Sequence, residues 1–129
     1  MSVNSDFAIG QETTKPSKAL NLTIWAVQIL AALAFLAAGG SKLSSAPAMV
    51  DMFEKIAFGQ WFRYVTGSLE LIGAVLLLLP RTAAIGGWLL AAVMIGAIGT
   101  HLFIIGGSAI PAVVLLVLAV TVGWNRSGR

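Results

Sequence analysis

Residues 60–79 read QWFRYVTGSLELIGAVLLLL, and this stretch decides the fold. As a helix it would cover about 30 Å, the thickness of a bilayer's hydrocarbon core. It stops at Pro80-Arg81, a residue that does not readily continue a helix followed by a charge suited to the membrane interface. Two ionisable residues lie inside it, Arg63 and Glu70, two helical turns apart and so on one face, with Thr66 and Gly67 between them and Gly73, Ala74 and Leu77 beyond. The opposite face is Leu, Ile and Val. A charge at the bilayer centre costs about 2.5–3.5 kcal/mol on insertion scales, so the small, polar face must look onto other helices. One such segment therefore predicts a bundle.

Working outward, three more apolar runs complete it. The first spans about residues 19–38 and is expected to end at Gly39-Gly40. The third covers about 82–105 and ends at Gly106-Gly107-Ser108. The fourth, about 109–124, is short, with Pro111 allowed in a first turn whose N–H groups lack helical partners. Trp124 and Arg126 read as its interfacial anchor. Between spans one and two, residues 44–59 alternate Asp51, Glu54 and Lys55 with Met49, Val50, Met52, Phe53 and Ile56, the pattern of a surface-lying amphipathic helix. The expected fold class is all-α: a polytopic membrane protein, a four-transmembrane-helix bundle (19–124) with a short amphipathic helix between spans 1 and 2. A polar cytoplasmic tail (1–18) and a short C-terminal tail (125–129) flank it.

Composition agrees. Of 129 residues 58% are hydrophobic and 10% charged, with mean hydropathy +0.93, whereas a soluble domain is about 25% charged. The absence of cysteine removes disulfides, dithiol redox chemistry and cysteine metal sites. A lone histidine cannot supply bis-histidine haem ligation within one chain or a usual zinc set, so no metal site is expected. No basic stripe with interleaved aromatics suggests a nucleic acid. The polar start of the chain lacks a signal peptide's order of basic residues, short apolar run and cleavage site, so the first span is expected to stay uncleaved. Lys15, Lys18, Arg81, Arg126 and Arg129 fall on one side of the spans and Lys42, Lys55 and Arg63 on the other. That bias predicts a multi-pass protein of the cytoplasmic membrane with both termini in the cytoplasm.

The polar residues of the spans nominate a site. In the first span Asn21, Trp25, Gln28, Ala32, Phe35, Gly39 and Lys42 follow at steps of three and four, one inward stripe. His101 ends a face of the third span through Leu90, Met94 and Ala97. By helical rise, Lys42, Arg63 and His101 fall near one depth and Glu70 about 10 Å below. A pocket lined by Lys42, Arg63, Glu70, His101 and Gln28, with Trp61 and Tyr64 near its mouth, is expected in the outer half. The fourth span offers only Thr121, and the cytoplasmic half reads as scaffold. Plainer roles compete: Glu70 as a structural carboxyl bonded to Arg63, His101 bonded to a neighbouring helix, Lys42 as a snorkelling helix-end charge, and Trp61 and Tyr64 as aromatic-belt residues.

Three stretches, Gly39-Gly40-Ser41-Lys42-Leu43, Gly67-Ser68-Leu69-Glu70-Leu71-Ile72-Gly73-Ala74 and Thr100-His101-Leu102, resemble the DoxX-like membrane proteins, over about residues 20–124. The resemblance implies a four-helix membrane bundle in which Lys42, Glu70 and His101 match the family's recurring polar positions; Arg63 and Gln28 come from spacing alone. The family takes its name from a small subunit of a thiosulfate:quinone oxidoreductase. One expectation is thus a redox-accessory or small-molecule-binding subunit in the lipid bilayer. It would hold a quinone-like or other small amphiphile, with no other cofactor evident, and receive electrons from a redox partner subunit. A small proton-coupled transporter or channel, widened by homo-oligomerisation, is the alternative, as is a membrane enzyme using Glu70 and His101 in acid-base chemistry.

Overall fold

The computed structural model describes residues 17–127. The tail expected over 1–18 lies outside the described residues except for Ser17 and Lys18, and residues 128–129 lie outside them too. The described chain is helical, with no strand.

Helix α1, Lys18–Leu43, starts where the Ser17 hydroxyl accepts from the Leu20 N–H at 3.0 Å, satisfying one of the donors a first turn leaves open. It runs on through Gly39-Gly40, where the span was expected to stop. In lipid a broken helix would leave N–H and C=O groups with no water to bond, and here Gly39 serves contact instead. A Cβ on Gly39 would fall 2.7 Å from the Gly67 carbonyl oxygen, and one on Gly67 would fall 2.9 Å from Lys42 Cβ. The two glycines let α1 and the next span approach backbone to backbone.

The surface helix α2, Pro47–Ile56, is shorter than the amphipathic stretch. Left-handed backbone at Ser45 (φ 62°) and Ala57 (φ 67°) bounds it, and it buries Phe53 and Ile56. Helix α3, Trp61–Leu78, is followed by α4, Ala83–Thr100, which loosens into a π-helical turn at His101–Ile105. Gly106 and Gly107, at φ 70° and 75°, then reverse the chain in a conformation that L side chains disfavour. Helix α5, Ile110–Arg126, carries Pro111 in its first turn and extends through Asn125 and Arg126, which the sequence had placed in a tail. Three helices, with α4 counted through its π turn, are long and apolar enough to cross a membrane; α5, at 17 residues, is shorter.

Around the bundle α1 packs on α3, α3 on α4, α4 on α5, and α5 back on α1, an up-down ring in chain order. Phe35, Leu77, Leu90 and Val122 fill the core among Ala31, Ala32, Ala74 and Ala119, while Leu22, Leu30, Ile85 and Val117 point outward, as lipid-facing positions should.

The end of the bundle away from α2 is not plain scaffold. Gln28 is fully buried; its amide donates to the Leu77 carbonyl at 2.7 Å, and its carbonyl accepts from Arg126 Nε at 2.6 Å. Arg126 also donates to Asn21 Oδ1 at 2.8 Å and lies 5.5 Å from the Trp25 ring centroid. Arg126 is therefore drawn inward, because the buried amide of Gln28 needs a donor for its oxygen. Trp124 stays exposed.

Candidate functional site

At the other end, α2 roofs a cavity of about 520 Å³. Lys42 of α1, Glu70 and Thr66 of α3, and Thr100 and His101 of α4 and its π turn line it, and most of the remaining wall is apolar: Met49, Met52 and Phe53 from α2, Val65 and Leu69 from α3, Val93 and Met94 from α4, Leu115 from α5. Methionine is the most adaptable apolar side chain, so a wall carrying three of them can fit itself to an occupant.

Glu70 and Lys42 meet in this wall, Lys42 Nζ lying 2.8 Å from Glu70 Oε1. The carboxylate is 1% exposed and the lysine side chain 16%. Gly39 and Gly67 bring the pair together, each standing three residues before a charged partner and holding the backbones close enough for lysine to reach the buried acid. Both Glu70 oxygens are buried and neither accepts a well-aligned hydrogen bond among the described residues, so the Lys42 contact is an ion pair. Buried carboxylate oxygens ordinarily accept hydrogen bonds, so the lysine ammonium is what compensates this carboxyl among the described residues.

His101 lines the cavity with Nδ1 2.9 Å from the Ala97 carbonyl oxygen. A carbonyl can only accept, so Nδ1 carries a hydrogen and donates. The ring sits on the first residue of the π turn, a helix irregularity frequent at functional positions.

Arg63 shares Glu70's helix face but reaches away from it. Its Nε donates to Gln60 Oε1 at 2.7 Å, and its Nη1 donates to Ser45 Oγ at 3.1 Å and to the Lys42 carbonyl. Helical side chains lean toward the N-terminus, and the last carbonyls of α1 lie there, at the negative end of that helix's dipole, the Lys42 carbonyl otherwise accepting only a long 3.4 Å bond from the Ser45 N–H. The guanidinium thus ties the end of α1 to the start of the α2 roof. Gln60 holds the roof as well, its amide donating to the Val50 carbonyl at 3.1 Å. Replacing Arg63 with Ala should cost roughly 1.5–3 kcal/mol, the scale of hydrogen bonds to a charged group. Lys at the same position should recover little, because one ammonium cannot match the fork. Unfolding in mixed detergent micelles would measure both variants, and full recovery by Lys would show that the fork is not used.

The remaining nominated residues lie elsewhere. Trp61 and Tyr64 are exposed outside the cavity, Tyr64 with its ring centroid 4.4 Å from the Arg63 guanidinium and Trp61 edge-on to Phe62, which does line the cavity. Gln28 lies 14 residues before Lys42 on α1, about 21 Å away along the helix. It belongs to the Arg126 cluster. Sequence reasoning missed the Lys42 to Glu70 pairing, although the shared glycine-to-charge spacing signalled it. It also did not foresee the aromatic roof, where Phe62 packs on Phe53 and Phe58 at centroid distances of 5.9 and 5.5 Å.

No solved structure matches the chain. It is 34% identical over 103 residues to the uncharacterized protein YdgD of Bacillus subtilis (strain 168), an alignment covering 74% of this chain and 90% of the relative. A family model described as the DoxX-like family matches residues 26–123, nearly the whole bundle, and the chain belongs to that family.

Proposed function

We propose that this membrane protein binds a small amphiphile of quinone-like size in the cavity beneath α2, as a small-molecule-binding subunit. The observation that carries the proposal is the Lys42 and Glu70 ion pair, its lysine partly exposed, in the wall of an otherwise largely apolar cavity. About 520 Å³ lies within the roughly 300–1,000 Å³ range of small-molecule sites, which combine apolar walls with a few polar groups that fix orientation. The apolar wall would take the ring and chain of such a molecule, and Lys42, Glu70 and His101 its polar head. Electron transfer, if the bound molecule is redox-active, would be a partner subunit's work.

Purified protein should melt at a higher temperature with a decyl-substituted benzoquinone and hydroquinone couple, and an organic extract of the protein should contain a stoichiometric amphiphile. A Glu70→Gln variant should lose most of the melting shift. If neither member of the couple changes the melting temperature and the extract holds only bulk lipid, the proposal fails.

A further inference from the structure

The sides of the cavity differ in what they let past. On the α2 side it is tied shut: Arg63 donates to Ser45 and the Lys42 carbonyl, Gln60 donates to the Val50 carbonyl, and α2 packs on both α3 and the π turn with Phe53 and Ile56 buried beneath it. The seam between α3 and α4 changes along its length. Toward the Arg126 end the backbones nearly touch, a Cβ on Gly86 falling 2.9 Å from the Gly73 carbonyl oxygen and one on Gly73 falling 2.5 Å from Leu90 Cγ. About 15 Å further along α4 a Cβ on Gly96 would meet nothing within 4 Å, although Gly96 lines the cavity.

This stretch of the seam faces lipid. Ala92 and Gly96 on α4 and Val65 on α3 line the cavity and are exposed as well, Val65 at 43%. Val65 stands two turns before the exposed Ile72, and Ala92 two turns after the exposed Ile85, so each lies on a lipid-facing side of its helix. A residue that borders the cavity and the lipid at once marks an opening. Thus α3 and α4 meet at one end and part at the other, leaving a cleft edged by Val65, Leu69, Ala92 and Gly96, none of which carries a polar side chain. We infer that the amphiphile enters from the bilayer through this cleft and keeps its tail there, with only its head inside the cavity. The inference rests on the small-molecule reading above and specifies its ligand class: a lipid-dissolved molecule with one long apolar tail. A tail coiled inside the cavity would lose rotational freedom that it keeps with its end among lipid chains, so tail length is not restricted.

Two measurements on the purified full chain test it. The first reads the dissociation constant of the decyl-substituted hydroquinone for the wild type, for Gly96→Phe, whose ring would fill the cleft, and for Gly99→Phe, whose ring would have open space on the same helix outside the cavity wall. Gly96→Phe should weaken binding about 10- to 100-fold, the scale of overpacking an occupied space, and Gly99→Phe should leave it unchanged. The second places a diazirine midway along the decyl tail. Adducts that excess unlabelled compound removes should fall on residues 65–72 and 92–96. Equal binding by all three proteins, an equal loss in both variants, or adducts confined to residues 108–115, where Ser108 and Pro111 form the cavity's other exposed rim, would overturn the lateral opening while leaving amphiphile binding intact. No binding by the wild type would overturn both. If Gly96→Phe does not fold, the adducts decide alone.

Discussion

Lys42→Met should destabilise the protein by roughly 3–5 kcal/mol, the cost of removing one member of a buried ion pair and leaving the other charge uncompensated. Glu70 is 1% exposed, and its only partner among the described residues is the Lys42 ammonium at 2.8 Å, so no neighbouring donor takes over. The double variant Lys42→Met with Glu70→Met should recover most of that loss, since apolar side chains of similar volume often replace a buried pair at little or no cost. Equilibrium unfolding of the wild type, both single variants and the double variant in mixed micelles closes a mutant cycle. A coupling energy near zero would mean the contact contributes nothing. The double variant also separates structure from function. If it folds as stably as the wild type yet no longer shifts with the quinone couple, the ion pair is kept for its ligand and not for the bundle.

Gly87→Val should separate α4 from α5. A Cβ at Gly87 would lie 2.6 Å from the Gly123 nitrogen and 2.8 Å from the Ala119 carbonyl oxygen, both backbone atoms of α5 that cannot swing aside. Overpacking a core costs about 1–3 kcal/mol when side chains can shift, so here the loss should reach or exceed the top of that range. The fitting control is Gly99→Ala on the same helix, where an added Cβ meets nothing within 4 Å. Removing a mid-helix glycine there should stabilise by roughly 0.5–1 kcal/mol. Melting temperatures in one detergent would compare the two, and a Gly87→Val protein that melts with the wild type would contradict the close crossing. Since Gly87 sits away from the cavity wall, ligand affinity per folded molecule should stay unchanged.

Much of the fold was legible because membrane insertion is decided segment by segment. Length, hydropathy and flanking charge are local properties, and they mark the spans and the surface helix within a few residues. Gly39-Gly40 misled because glycine ends helices readily in water. In lipid the backbone has no other bonding partner, and the helix continues to Leu43. The inward stripe of α1 was legible as a face: Gln28, Ala32, Phe35 and Gly39 are all buried. What each member of the stripe touches was not legible, since a helix of 26 residues meets different neighbours along its length. Gln28 meets Arg126 at one end, and Lys42 meets Glu70 near the other.

Local hydropathy and length are enough to make this chain a helical membrane bundle, and to mark Lys42, Glu70 and His101 as polar residues a bilayer would reject unless something satisfied them. The helix crossings decide that Lys42 and not Arg63 faces Glu70, and that Arg63 holds the roof. The reason is geometric. Periodicity fixes which way a side chain leaves its own helix, but a partner is chosen by where two helices cross, and that depends on how closely small residues such as Gly39 and Gly67 let their backbones approach.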